Sequence, residues 1–130
     1  MIVDTSALVA IIAGEPASER LIDALSHARI CRISAGNFLE LSMVMEGQHG
    51  PGAARQCDAL LRRAGIVIEP VTVEQAHLAR QAFLDYGKGR HPAGLNFGDC
   101  FAYALAKFTG EPLLYTGNDF GRTDVQPALR

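Results

Sequence analysis

Two kinds of apolar pattern alternate along this chain. Met1 to Asp4 is a short apolar run ending in a carboxylate, and Thr5 and Ser6, suited to a helix N-cap, lead into an apolar stretch from Ala7 to Ala13. Ala17 to Ala28 places Leu21, Ile22 and Leu25 on one helical face. Ile30 to Ser34 is a second β-like run, followed by a helix from about Ala35 to Glu46. Gly50-Pro51-Gly52 breaks the chain before a helix through Leu60 and Leu61, and the β-branched triplet Ile66-Val67-Ile68, closed by Pro70, predicts a third strand. Glu74 to Tyr86 sets Ala76, Ala79, Ala82 and Phe83 in helical register, whereas Gly87 to Gly94 reads as a loop. A helix from Asn96 or Phe97 to about Phe108 is apolar nearly all round and therefore buried, and Pro112 to Thr116 is a fourth strand before the turn Gly117-Asn118. Continuous apolar strands separated by helices predict an α/β fold, a three-layer α/β/α sandwich with a mostly parallel central sheet of four to five strands.

Length and composition narrow the function classes. A chain of 130 residues, 48% apolar and 20% charged, reads as a single globular domain spanning residues 1–130. A net charge of −2 excludes nucleic-acid binding by bulk charge, so any such contact must be local. Cys31, Cys57 and Cys100 are odd in number and lack C-x-x-C spacing, which predicts neither a disulfide framework nor a zinc site and suggests a reducing compartment. The apolar stretch after Asp4 is too short to span a bilayer and lacks a basic leader, so a cytoplasmic, unprocessed protein is expected. His27, His49, His77 and His91 show no paired spacing and read as surface residues.

The acids carry the chemistry. Ligands of open α/β sheets bind beyond the carboxyl ends of the strands. Asp4 ends the first strand, Glu40 lies in the second turn of the helix after the second, Asp99 opens the buried helix, and Asp119 follows the last strand. Glu40 falls at the margin of its helix's core stripe, and the helix of Asp99 offers almost no polar face for it. Each acid has a local role open to it: Asp4 as a cap, Asp99 opposing the helix dipole, Asp119 in a turn, Glu40 as a solvated helix residue. Their convergence on one sheet edge is harder to explain that way. Two carboxylates about 5 Å apart repel by about 3 kcal/mol at an effective dielectric of about 20, so the cluster calls for a counter-ion. Hard oxygen ligands in an incomplete cage point to Mg²⁺, with Mn²⁺ as a substitute, completed by water and a phosphate.

Taken in order, Asp4-Thr5-Ser6-Ala7-Leu8, Glu40, the stretch Gly94 to Cys100, and Leu114 to Phe120 with Thr123-Asp124 resemble a PIN-domain ribonuclease, and more narrowly the VapC-type toxins of bacterial toxin–antitoxin pairs. The resemblance runs from the first strand to the last. It implies a compact α/β/α sandwich whose four acids map onto Asp4, Glu40, Asp99 and Asp119. It also implies a Mg²⁺-dependent endoribonuclease that cuts tRNA or ribosomal RNA, forms a homodimer, and is silenced by a small VapB-type antitoxin. Some relatives carry acids at both positions corresponding to Asn118 and Asp119; here only Asp119 can supply the fourth carboxyl.

Metal-assisted phosphodiester hydrolysis then assigns Asp4 and Asp99 to the metal, Glu40 to a second ion or the attacking water, and Asp119 to the cluster through water. Thr5, Ser6 and Thr116 carry hydroxyls that either bind a phosphate oxygen or a second water, or serve capping and turn formation. Asn96 is open to the same two roles. Lys88, Arg90 and His91, in the Gly-rich loop upstream of Asp99, are the candidate grip on the RNA backbone, with Arg62 and Arg63 next. Tyr115 and Phe120 suit core packing better than base stacking. An antitoxin is expected to place an arginine among the carboxylates and cover apolar residues of the early helices, such as Val9, Ile12, Leu21 and Leu25, where they reach the surface. An aspartyl-phosphate hydrolase would need a second Asp two residues after the first, where Ser6 stands. The remaining alternative is a non-catalytic RNA-binding or protein-interaction module on the same fold.

Overall fold

The computed structural model describes residues 1–129. Strand β1 (Ile2–Val3) is followed by α1 (Thr5–Ile12) and α2 (Ser18–His27), β2 (Cys31–Ser34), α3 (Ala35–His49) and α4 (Ala53–Ala64). Then come β3 (Ile66–Glu69), α5 (Val73–Tyr86), α6 (Phe97–Thr109), β4 (Leu113–Leu114) and a 3₁₀ turn, Phe120–Arg122. The strands form one parallel sheet in the order β3-β2-β1-β4. Leu113 also bridges Pro127, and Leu113 N–H donates to the Gln126 carbonyl at 2.8 Å, so the C-terminal stretch covers the open edge of β4.

Alternate strand residues feed two cores. Val3, Cys31, Ile33 and Leu114 pack with Leu8, Leu21, Leu25, Leu41, Met45, Cys57 and Leu61 of α1 to α4. Ile2 and Leu113 point the other way, into Leu95, Cys100, Tyr103, Leu105, Phe120 and Val125. This is the expected sandwich: a helical layer on each face of a sheet that offers no polar side. Arg32 is the exception on β2, held half-buried by Glu69 at 2.6 Å and Glu111 at 3.3 Å.

Local chemistry sets the element ends. Asp4, Ser34, Thr72 and Asn96 cap α1, α3, α5 and α6 with their side chains. Gly65 and Gly110 close α4 and α6 at φ of 66° and 71°, a conformation open to glycine at little cost. Against expectation α3 runs on to His49, the last strand is confined to Leu113–Leu114, and the 3₁₀ turn is unforeseen. Ile22 and Phe83, expected on core faces, are 51% and 43% exposed; both fall at stripe edges where the neighbouring helix does not reach. Among the described residues, no helix is long and apolar enough to cross a membrane.

Candidate active site

The strand order reverses direction on either side of β1, where β2 and β4 flank it. That is the switch point at which the following loops part and leave a crevice. Asp4 sits there. Its N–H still donates to the Leu114 carbonyl at 2.9 Å, which fixes the residue to the sheet, while its Oδ2 accepts from Ser6 N–H at 3.0 Å as the cap of α1. The side chain is 97% buried by difference from a 3% exposure, and its Oδ1 has no hydrogen-bond partner. An ionised carboxylate in that position is costly. Burial accordingly raises the Asp4 carboxyl to about 7, against the pull of the Ser6 hydrogen bond, and the charges of Asp99 and Glu40 push the same way.

Asp99 lies in the first turn of α6, in a reciprocal capping box: its N–H donates to Asn96 Oδ1 at 2.9 Å, and its Oδ2 accepts from Asn96 N–H at 3.0 Å. Burial raises its carboxyl to about 6, and Asp119 and Glu40 add repulsion. Glu40 is half-buried at the margin of α3, as its helical angle predicts. Asp119 is exposed at the head of the 3₁₀ turn, without a capping hydrogen bond. The four acids are thus within electrostatic reach of one another: Asp4 feels Asp99 and Glu40, and Asp99 feels Asp119 and Glu40.

Two residues not singled out from the sequence build this cluster. Asn37 is fully buried, and its Nδ2 donates to Glu40 Oε1 at 3.3 Å and to the Gly98 carbonyl at 2.9 Å. Its spacing of four and eight residues from the core positions Leu41 and Met45 is a signal that an amide lies on the buried face. Gly98 is the second: a Cβ there would collide with the Glu40 carboxylate, so glycine leaves Glu40 free to hold the position that Asn37 gives it.

The hydroxyls of Thr5, Ser6 and Thr116 stand beside the acids but are engaged within the protein. Thr5 Oγ1 donates to the Asn37 carbonyl at 3.3 Å, Ser6 Oγ accepts from Thr116 N–H at 3.1 Å, and Thr116 Oγ1 reaches the Ser6 carbonyl at 3.5 Å. They join α1 to α3 and to the end of β4. Lys88 and Arg90 are exposed in a loop that is folded, not open. Lys88 N–H donates to the Leu95 carbonyl at 2.9 Å, and Arg90 lies 5.6 Å over the Phe83 ring with its Nε donating to the Leu84 carbonyl at 3.3 Å. Arg122 ties this loop to the turn after Asp119 by donating to the Pro92 carbonyl at 3.2 Å. Phe120 is buried against Tyr115, with ring centroids 5.2 Å apart, which fits core packing. Leu21 and Leu25 belong to the chain's own core and do not reach the surface where a partner could cover them; Val9 is partly buried and Ile12 is 36% exposed.

Among the described residues, no three His, Cys, Asp or Glu side chains form a ready-made metal cage. The donor set still suits a hard divalent cation, because Mg²⁺ is ordinarily held by one or two carboxylates and keeps several waters. The unpartnered Oδ1 of Asp4 is the oxygen on which that fit rests.

Comparison with known proteins agrees with this geometry. A family model described as the PIN domain matches residues 1–126. Ribonuclease VapC28 of Mycobacterium tuberculosis is 52% identical over 130 residues, covering 99% of this chain and 98% of its own length. Ribonuclease VapC42 of the same species is 50% identical over 129 residues, covering 98% of each. The crystal structure of M. tuberculosis VapC20, described as a sarcin–ricin loop cleaving toxin, superposes with a TM-score of 0.76 at 19% identity over 95% of both chains. A chain of a toxin–antitoxin complex from Klebsiella pneumoniae gives 0.71 at 15% identity, over 95% of this chain and 92% of that one. Matched by the family model over nearly its whole length and by half-identical relatives from end to end, the chain belongs to the PIN domain family.

Proposed function

We propose that this chain is a divalent-metal-dependent endoribonuclease and the toxin of a type II toxin–antitoxin pair. The observation that carries the reading is the placement of four carboxylates about the switch point, with a buried Asp4 oxygen that nothing in the chain satisfies. Relatives of about half identity are named VapC ribonucleases, and the fold neighbours are a toxin and a chain of a toxin–antitoxin complex, which supports the same reading.

Asp4 and Asp99 would hold Mg²⁺, for which Mn²⁺ can substitute, and Glu40 and Asp119 would complete the site through water. The cation supplies Lewis acidity and a water acidified enough to attack phosphorus. The chain's own residues do the remaining work. Glu40, fixed by Asn37, orients the attacking water, and the carboxylates bring hard oxygens to a rigid edge of the sheet. No side-chain nucleophile is required. Thr5, Ser6 and Thr116 line the approach and set the spacing of α1, α3 and β4. Lys88 and Arg90 would meet the RNA backbone as local positive charge on an acidic protein. A tRNA or ribosomal RNA is the substrate class, in keeping with the description of VapC20.

A homodimer is the expected assembly, and it would have exposed apolar side chains such as Leu39, Met43 and Phe97 to cover. A VapB-type antitoxin would set an arginine among the carboxylates and cover the exposed Ile12 and Ile22. The experiment is direct. The purified chain should cleave total RNA with Mg²⁺ and not with EDTA, and its expression alone should arrest growth unless Asp4 is replaced or the neighbouring small open reading frame is co-expressed. A folded, abundant chain that leaves growth and RNA untouched would refute the reading.

A further inference from the structure

Asn37 occupies the first turn of α3 at 0% exposure, an expensive place for a group with two donors and an acceptor. Both neighbours of its Nδ2, the Glu40 carboxylate and the Gly98 carbonyl, are acceptors, so the orientation of the amide is fixed by its surroundings. Its backbone carbonyl takes the Thr5 hydroxyl. Thr5 follows Asp4 and Gly98 precedes Asp99 in the chain. One residue therefore ties together the three elements that carry Asp4, Glu40 and Asp99.

A link made only to hold α3 against α6 would be complete with the Gly98 carbonyl. Asn37 does more and leaves more undone. It also reaches the Glu40 carboxylate, with which no lysine or arginine forms an ion pair among the described residues. Its Oδ1 is buried without a partner, as is Oδ1 of Asp4. A buried acceptor without a partner is a costly group to keep in a helical first turn, so its retention calls for a role beyond joining α3 to α6.

We infer that Asn37 is the positioning residue of the acid cluster, its amide holding the Glu40 carboxylate and the Gly98–Asp99 turn in register with Asp4 so that a divalent cation meets an assembled site. The inference rests on the metal-dependent reading above. Gly98 completes the device, since its missing Cβ is the space the Glu40 carboxylate occupies.

The test is calorimetric titration of the full chain with Mn²⁺, alongside melting curves without metal and RNA cleavage at saturating Mn²⁺. Asn37→Ala should weaken Mn²⁺ binding by about 10–100-fold, the usual loss when a group supporting a metal ligand is removed, and should lower kcat more than it raises KM. A residue that merely joins two helices would lower the melting temperature and leave the Mn²⁺ Kd alone. If Asn37→Ala does not fold, Gly98→Ala decides, because its new Cβ breaks the same Asn37–Glu40 contact from the other side and should weaken Mn²⁺ comparably. Folded variants with a wild-type Mn²⁺ Kd overturn the inference. Failure of the wild-type chain itself to bind Mn²⁺ would instead overturn the metal reading.

Discussion

Replacing Asp4 with Asn should abolish cleavage and at the same time stabilise the metal-free protein at neutral pH. Burial raises the Asp4 carboxyl from 3.8 to about 7. Between those values the folded chain keeps a proton that the unfolded chain has released. Stability from this group is therefore complete below the unfolded pKa and is lost as pH rises through about 7. At about 1.4 kcal/mol per pH unit the full difference is about 4 kcal/mol, of which about 3 kcal/mol falls between about pH 5 and about pH 8. For a domain of this size that is a drop in Tm of about 10 °C. Asp99, raised to about 6, adds a smaller loss of the same sign. Scanning calorimetry in EDTA across this range should show the decline in the wild type and only the Asp99 remainder in Asp4→Asn. Adding Mg²⁺ at about pH 8 should restore the wild type and leave the variant unmoved, since a ligand that binds only the folded state stabilises it. A wild-type Tm that is flat over this range, or an Asp4→Asn slope equal to it, would refute the reasoning.

Replacing Lys88 and Arg90 together with Ala should weaken RNA binding regardless of sequence and lower the slope of log K against log salt by about 1.5–2, at about 0.7–0.9 per phosphate contact; an unchanged slope moves the contact elsewhere. Tyr103→Phe removes the hydroxyl that donates to Asp124 at 2.6 Å, beside the Lys107 pair at 3.0 Å, and should cost about 1–2 kcal/mol in urea unfolding with cleavage unchanged. A loss of cleavage there would mean that the C-terminal stretch reaches the acids.

Much of this fold is written in local pattern. Ile66–Glu69 shows its type through its β-branched run although Val67 and Ile68 are exposed at the sheet edge, α6 shows its own because it is buried nearly all round, and capping residues mark the helix starts. The acids were legible for a related reason: strand ends and first turns place a side chain at the sheet edge whatever the rest of the chain does. What escaped depends on distant partners. Asn37 looks like any polar residue in a helical first turn until Gly98, 61 positions away, supplies its acceptor. Leu21 and Leu25 carry the same stripe whether the chain's own core or another protein covers them. The loop before Asn96 reads as loose from its glycines, yet its order comes from the Lys88–Leu95 and Arg122–Pro92 contacts.

The position of β1 at the middle of the sheet bears on how such an enzyme is made. The strand carrying Asp4 leaves the ribosome well before its neighbour β4, which follows 111 positions later at Leu113. A domain generally folds as a unit. The crevice closes only when Leu113 and Leu114 dock beside Ile2 and Val3 and bring Asp119 to the acids. A nascent chain halted before Leu113 would hold three carboxylates and no finished pocket. The acid cluster is therefore complete only once the C-terminal part of the sheet has been made.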